Sequence, residues 1–531
     1  MRGPHRLGRG AVVSADALAV ARSVALIGLE GALVDVETHV GRGMVAFTLV
    51  GLPDASLRES KERVRSALQS CGLEVLDSRV TVNLSPAGLP KSGSGFDAAI
   101  AASVLIAAGS LPPGPFDGAV LIAELGLDGS MRPVRGILPA LIAARSQGID
   151  RAVVASDGVD EAALIPGMDV VGFDHLADLV AWAGGKAARP RARGSRSAPA
   201  AEPARRTPEE RGAASDLADV RGQNEAIGAL EVAAAGGHHL FLVGEPGAGK
   251  TMLASRLVTI LPELDDATAL TSTSLHSLAG ELGTTRLIRR PPLQAPHHSA
   301  TMASLIGGGT SVILPGAASL AHGGVLLLDE AAEFSPSVLD ALRQPLEDGE
   351  ITIHRSKIRA RYPAKFQLVL ASNPCPCGGS TRARPCTCSS LARRRYMSRL
   401  SGPLLDRIDI TVAMRAPTRA DLAVGPGPSS AQVRERVSAA RQRARHRLAS
   451  TPWRVNAELP GRWLRTESGI DPRIVDSLDR AVDRGTVSMR GADRVLRLMW
   501  TLADLDGRPA PDQCDVARAL QLRTGGPHGD L

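Results

Sequence analysis

Aromatic side chains are scarce: Phe, Trp and Tyr together make up 2% of the 531 residues. That scarcity excludes a binding surface built mainly from stacked rings. Long apolar runs are also missing. None reaches the roughly 20 residues a helix needs to cross a bilayer, so no membrane partner is expected. Residues 1–26 carry scattered arginines and a weak Ala/Val run without a clear cleavage site. Residues 1–22 therefore read as an extension and not as a secretory leader, and the expected compartment is the cytoplasm. Cysteine is limited to six residues. Cys71 and Cys514 stand alone and are expected to be ordinary buried thiols, whereas Cys375, Cys377, Cys386 and Cys388 fall within one short segment.

The chain is not short of core-forming side chains. Hydrophobic residues are 44% and charged residues 22%, and about 150 residues per domain predicts three or four domains. The formal net charge is +7. Much of that excess sits in residues 186–215, where eight basic residues face three acids. This Pro/Ala/Arg/Ser-rich stretch lacks apolar periodicity and reads as a linker, with an auxiliary polyanion-binding arm as the alternative.

The linker separates a region at 23–185 from a second at 216–425 and a tail at 426–531. In the first region, strands are predicted at 23–30, 34–40, 45–50, 80–84, 119–125 and 152–155. Helices are predicted at 55–70, 96–108 and 137–147. In the second, strands at 239–243, 324–328 and 366–371 alternate with helical segments, an α/β layout. The tail shows only helical periodicity.

Residues 244–251 read Gly244, Glu245, Pro246, Gly247, Ala248, Gly249, Lys250, Thr251. Glycines at these positions let backbone N–H groups face phosphate oxygens. Lys250 reaches the β and γ phosphates, and the Thr251 hydroxyl ligates Mg²⁺. An apolar strand ending in Asp329 and Glu330 lies about 75 residues on. Asp329 is expected to hold Mg²⁺ and Glu330 to polarise the attacking water of NTP hydrolysis. A third strand ends at Asn373, placed to bond the γ-phosphate or the water. The spacing of the four clustered cysteines suits tetrahedral Zn²⁺ around a short loop; free thiols in a Cys-rich loop are the alternative. Arginines 382, 384, 393, 394 and 395 make its flank basic. His297, His298 and His322 read as polar contacts rather than metal ligands.

Residues 244–253, 295–300, 323–334, 342–353, 371–378, 398–410 and 488–505, with 47–68, 80–97 and 124–140, resemble the YifB/ComM family of magnesium-chelatase-like AAA+ ATPases. The resemblance implies a multidomain α/β protein: a Lon-protease-like α+β domain, an AAA+ P-loop core and a C-terminal helical lid. It implies ATP and Mg²⁺ as cofactors and a ring, expected to be a homo-hexamer. By the match Asn373 resembles the γ-phosphate sensor, Arg407 the arginine finger that reaches a neighbour's ATP, and Arg490 the lid arginine. Arg399 competes for the finger role. A guanidinium suits both roles because it offers planar, permanently charged donors.

Lon-type proteases use a Ser–Lys dyad. On the corresponding pattern the nucleophile position falls on Gly95 and the lysine position on Leu138, and neither can supply a nucleophile or a base. A shifted dyad through Ser92 or Ser94 is the remaining protease option; the domain reads as proteolytically inactive. Residues 351–362 form a basic hairpin. Alternation along a strand predicts that Arg355, Lys357, Arg359 and Arg361 share one face. The expected activity is Mg-dependent ATP hydrolysis that drives DNA branch migration on branched or single-stranded DNA. The alternative is a motor that remodels a protein partner or serves a chelatase.

Overall fold

The computed structural model describes residues 18–41, 44–73, 78–189, 215–282, 286–309, 312–355, 358–378, 385–423 and 425–525. Most of the basic linker, 190–214, therefore lies outside the described residues, as does Lys357. Among the described residues no helix is long and apolar enough to cross a membrane.

The described residues open on β1 (Leu18–Ile27), β2 (Glu30–Gly41), β3 (Ala46–Val50) and β4 (Arg79–Ser85). They stand in the order β1-β2-β4-β3, antiparallel except for the β3–β4 pair. The strands alternate in burial: Ala19, Ala21 and Ser23 face inward between exposed Leu18, Val20 and Arg22. That period of two is what one covered face demands. β1 begins at Leu18, ahead of the residue where its periodicity becomes legible. The helix Ala55–Ser70 starts where Asp54 accepts a hydrogen bond from the Leu57 amide, 2.7 Å. The helix Asp97–Ala107 is buried on almost every face. Its one buried hydroxyl, Ser103, pairs with Thr38 at 2.7 Å.

The predicted strand at 119–125 is two strands, β5 (Ala119–Ile122) and β6 (Glu124–Leu125), the second paired with β7 (Met131–Arg132). The break falls at Ala123, whose backbone bonds Gly95 and Ala98. β8 (Arg151–Ala155) and β9 (Asp169–Phe173) complete a parallel sheet with β5.

The second region carries β10 (Leu240–Gly244), β11 (Leu293–Gln294) and a small hairpin of β12 (Gly307–Gly308) and β13 (Leu314–Pro315). Then come β14 (Val325–Leu328), a longer hairpin of β15 (Glu350–Arg355) and β16 (Ile358–Pro363), β17 (Gln367–Ser372) and β18 (Ile410–Met414). Five of these form one parallel sheet in the order β11-β14-β17-β10-β18. β10, β14 and β17 are buried along their whole length, as a sheet covered on both faces requires. This is a P-loop fold of AAA+ type. The carboxyl ends of β10, β14 and β17 lie together at one edge, where such sheets bind ligands.

The tail is helical, as its periodicity predicts: Ser430–Arg447, Pro472–Asp483, Met489–Asp506 and Gln513–Thr524. These helices share one apolar core with the sheet. Ser430 fastens the first of them to the phosphate-loop helix through Thr259, 2.7 Å. Of the two isolated cysteines, Cys71 is buried as expected and Cys514 is exposed; Cys514 follows the cap of its helix, on the solvent side.

The first region docks on the second. The Leu26, Ile27 and Leu29 turn joins Leu275, Leu278, Ala360 and Tyr362 in a small apolar cluster. Next to it the Ser277 hydroxyl donates to Glu161, which also accepts from the Leu138 amide at 2.8 Å.

Candidate functional site

β10 ends at Gly244, where no side chain fits: an added Cβ would lie 2.3 Å from the Met414 carbonyl oxygen of β18. The chain then turns through Gly247 and Gly249 at φ 80° and 84°, a region that glycine enters without steric cost. The helix Lys250–Ile260 follows at once. Lys250 is nearly buried. Its Nζ donates to the carbonyls of Gly244 at 2.7 Å and Glu245 at 2.9 Å, and to Asn373 Oδ1 at 3.0 Å. Burial draws its pKa below the usual lysine value, opposed by the negative charges of Asp329, Glu245 and Glu330.

Thr251 Oγ1 donates to Asp329 Oδ2 at 2.7 Å. The helix start and the end of β14 thus meet on a hydroxyl and a carboxylate, an oxygen pair suited to Mg²⁺. Glu330, the next residue, sits in the left-handed region at φ 52°, a conformation that costs a non-glycine residue about 1–3 kcal/mol. Its amide donates to Asp329 Oδ1 at 2.9 Å. Its Oε2 meets His298 Nδ1 at 2.8 Å. The structure therefore gathers the four residues Lys250, Thr251, Asp329 and Asn373, and adds Glu330 with an unforeseen partner.

The arginines lie elsewhere. Arg407 is paired with Glu347 and donates to the Pro403 carbonyl. Burial first, then Arg343, Arg490 and Arg494, pull its pKa below the usual arginine value. Arg490 is exposed, 3.5 Å from Asp406. One helical turn on, Arg494 bonds Asp409 and the Arg407 carbonyl. Arg399 donates to the Ala332 carbonyl and to Glu333, each at 3.1 Å. Arg407 and Arg490 thus flank Asp406 on one surface, and none of these partners belongs to the phosphate loop.

The four clustered thiols lie within 4.8 Å of one another. Three Sγ–Sγ separations are 3.3, 3.5 and 3.6 Å. Four thiolates about 2.3 Å from a tetrahedral Zn²⁺ stand roughly 3.8 Å apart, so the donor set fits that ion with a small expansion. Gly378, inside the cluster, touches the phosphate loop: an added Cβ would lie 2.9 Å from Pro246.

In the first region Gly95 faces the apolar side chains of Val134 and Ile122, and Leu138 is buried. Ser94 donates to Glu124. The neighbouring lysine, Lys91, is buried with its amine on the carbonyls of Leu84 and Pro86. Among the described residues no serine hydroxyl is bonded to that amine.

The longer hairpin corrects one expectation. His354 pairs with Arg359 and Thr352 with Arg361, whereas Arg355 pairs with Ile358. Arg355 shares the face of Ile353 and Ala360, opposite Arg359 and Arg361. The register that pairs Arg355 with Ile358 puts residues an odd number apart on one face, so spacing by two does not carry from one strand to the other.

Sequence reasoning missed His298 as the partner of Glu330 and Glu347 as the partner of Arg407. A histidine pair following the strand adjacent to β14 was the available signal for the first; none marked the second.

Comparison with known proteins agrees with this geometry. Residues 216–422 match the family described as magnesium chelatase, subunit ChlI; residues 36–158 match subunit ChlI of Mg-chelatase; and residues 427–523 match its C-terminal part. An uncharacterized protein of Mycobacterium tuberculosis is 48% identical, covering 96% of this chain and 99% of that protein. The competence protein ComM of Haemophilus influenzae is 38% identical, over 95% of this chain and 97% of its own length. The uncharacterized protein YifB of Escherichia coli is 38% identical over 92% and 94%. The family implies ATP and Mg²⁺, and this chain belongs to it: it is a member of the YifB/ComM family of magnesium-chelatase-like AAA+ proteins.

Proposed function

We propose that the protein is an ATP-hydrolysing ring motor that moves DNA junctions. The observation that carries the ATPase reading is the convergence of Lys250, Asn373, Thr251 and Asp329 at one sheet edge, with Glu330 beside them. Lys250 holds phosphate charge and Asn373 reports the γ-phosphate. Glu330 takes a proton from the attacking water. Thr251 and Asp329 are the residues to hold Mg²⁺, which neutralises phosphate charge when bound. Arg407, and Arg490 beside it, serve a neighbouring subunit's ATP in a homo-hexamer, because their surface is apart from this chain's own phosphate loop. Cys375, Cys377, Cys386 and Cys388 hold a structural zinc that stiffens the loop against Pro246.

Support for DNA as the substrate comes from exposed cations. Arg359 and Arg361 share one hairpin face, and Arg393, Arg394 and Arg395 follow the cysteine loop on an exposed helix. The N-terminal region, 23–185, acts as a proteolytically inactive scaffold of Lon-like type. The test is ATPase turnover with and without a four-way DNA junction. Wild type is expected to be stimulated. Glu330→Gln should bind ATP yet lose on the order of 10²–10⁴ in rate, because an amide does not accept the proton. Equal rates in wild type and Glu330→Gln overturn the site; no stimulation by any DNA overturns the substrate.

A further inference from the structure

The turn that carries Arg407 is held from outside its own strand. Asp406, Arg407, Ile408 and Asp409 follow one another, and each meets an arginine of the helical tail. Arg490 stands 3.5 Å from Asp406. Arg494 donates to the Arg407 carbonyl at 3.3 Å and to the Asp409 carboxylate. Arg523, from the helix Gln513–Thr524, donates to the Ile408 carbonyl. Arg490 and Arg494 lie about one turn apart on the helix Met489–Asp506.

Asp409 is the fixed point of this arrangement. It is buried directly ahead of β18, and Arg494 is buried against it. Its second carboxylate oxygen faces His238 Nδ1 at 3.3 Å and accepts from the His239 amide at 3.4 Å. Burial works to raise the pKa of this carboxyl, yet His238 and then Arg494 hold it well below the usual carboxylate range. The clamp on Arg494 is therefore a charged one. The other ring nitrogen of His238 meets the Thr501 hydroxyl at 2.7 Å. Thr501 lies about two turns beyond Arg494 on the same helix. One tail helix thus grips both the Arg407 turn and the entry to β10. A buried network of this kind orients its members, because moving one of them disturbs several bonds at once.

We propose that Arg494, assisted by Arg523, is a positioning residue for hydrolysis at the neighbouring subunit's site: it holds the Arg407 backbone and carries Arg490 one turn away, so that both arginines reach across the boundary as one unit. The inference deepens the reading of Arg407 as the finger and rests on it. Lys250 and Thr251 take their bonds from Gly244, Glu245, Asn373 and Asp329. The effect therefore belongs in a neighbour's kcat and not in the chain's own affinity for ATP.

The test is steady-state ATPase of the full chain, alone and in mixed assemblies. Arg494→Lys keeps a charge for Asp409 but loses the length and planar geometry with which one nitrogen serves both acceptors. Alone, it should lower kcat by on the order of ten- to a hundredfold and leave the ATP KM within about twofold. Mixed with Lys250→Ala subunits, whose fingers are sound, it should recover turnover, because its own phosphate loop is intact. Mixed with Arg407→Ala subunits it should recover nothing, because no boundary then has a sound finger. Recovery with neither partner is the mark of a merely structural role and overturns the proposal. So does the reverse pattern, which would place the damage at the chain's own phosphate loop, and so does unchanged turnover. If Arg494→Lys does not fold, Arg523→Met goes through the same mixtures, with the same pattern and a smaller fall expected; wild-type turnover there overturns the proposal. Wild-type turnover in Arg407→Ala would instead remove the finger reading on which it rests.

Discussion

Among the described residues two lysines are buried, and they have opposite surroundings. Lys91 is 1% exposed and Lys250 9% exposed. Each donates to two backbone carbonyls, Lys91 to Leu84 and Pro86, Lys250 to Gly244 and Glu245. Burial draws both below the usual lysine value. The difference lies in what else is near. Around Lys250 stand Asp329, Glu245 and Glu330, which favour its charge, and an amide oxygen from a third strand. Around Lys91 burial is the only cause of its shift. A buried ammonium on backbone carbonyls closes a turn; with carboxylates and glycine-borne amides beside it, the same group becomes an anion-handling site.

The strongest way to sharpen that contrast lies at the subunit boundary. Arg407→Ala should lower turnover on the order of 10³-fold or more, and mixing it with Lys250→Ala subunits should recover activity where a sound finger meets a sound phosphate loop. Rings that form yet recover nothing at any ratio would transfer the finger role to Arg399. Lys91→Met should leave turnover near wild type but cost about 1–3 kcal/mol of stability, since two buried carbonyls lose their donor. The unfolded chain binds the Lys91 proton more tightly than the folded one. Stability therefore rises with pH between the lowered value and the ordinary lysine value. In Lys91→Met denaturant titrations that rise should flatten; if Lys91→Met abolishes turnover with the fold intact, the contrast between the two lysines is broken.

Smaller effects are expected from the metal loop and the hairpin. Freshly purified protein should contain close to one equivalent of zinc, and Cys386→Ser should lose it; absence of zinc from reduced wild type would reject the site. Arg359→Ala with Arg361→Ala should reduce the slope of log affinity for DNA against log salt by roughly 1–2, whereas Arg355→Ala, on the other face, should change it little. Equal effects of Arg355 and Arg359 would contradict the hairpin register.

The phosphate loop and the β14 tip were legible because their chemistry is local: eight contiguous residues, or one strand and its two acids. The α/β layout and three of the five sheet strands followed from three apolar runs; β11 and β18 were not foreseen. Asn373 is different. It meets Lys250 across 123 positions; the polar tip of a third apolar strand marked it as a candidate, and the family resemblance gave it its role as sensor. The contact of His298 with Glu330 leaves no periodic trace, because it depends on how two adjacent strand ends are stacked. Arg355 was misplaced because alternation holds within a strand and not through a turn. The split at Ala123 was hidden because its cause is a tertiary hydrogen bond to Gly95, not a breaker in the local sequence.

The docking of the β1–β2 turn on the longer hairpin bears on how the protein can be dissected. Leu26, Ile27 and Leu29 cover Ala360, Tyr362 and Leu278, and the Gly28 backbone lies directly on that of Arg361. A fragment beginning at residue 216 would carry every residue of the nucleotide site and still present an uncovered apolar patch beside its basic hairpin. Such a fragment would self-associate through that patch, so any assembly or DNA affinity measured on it would describe the cut surface and not the intact protein.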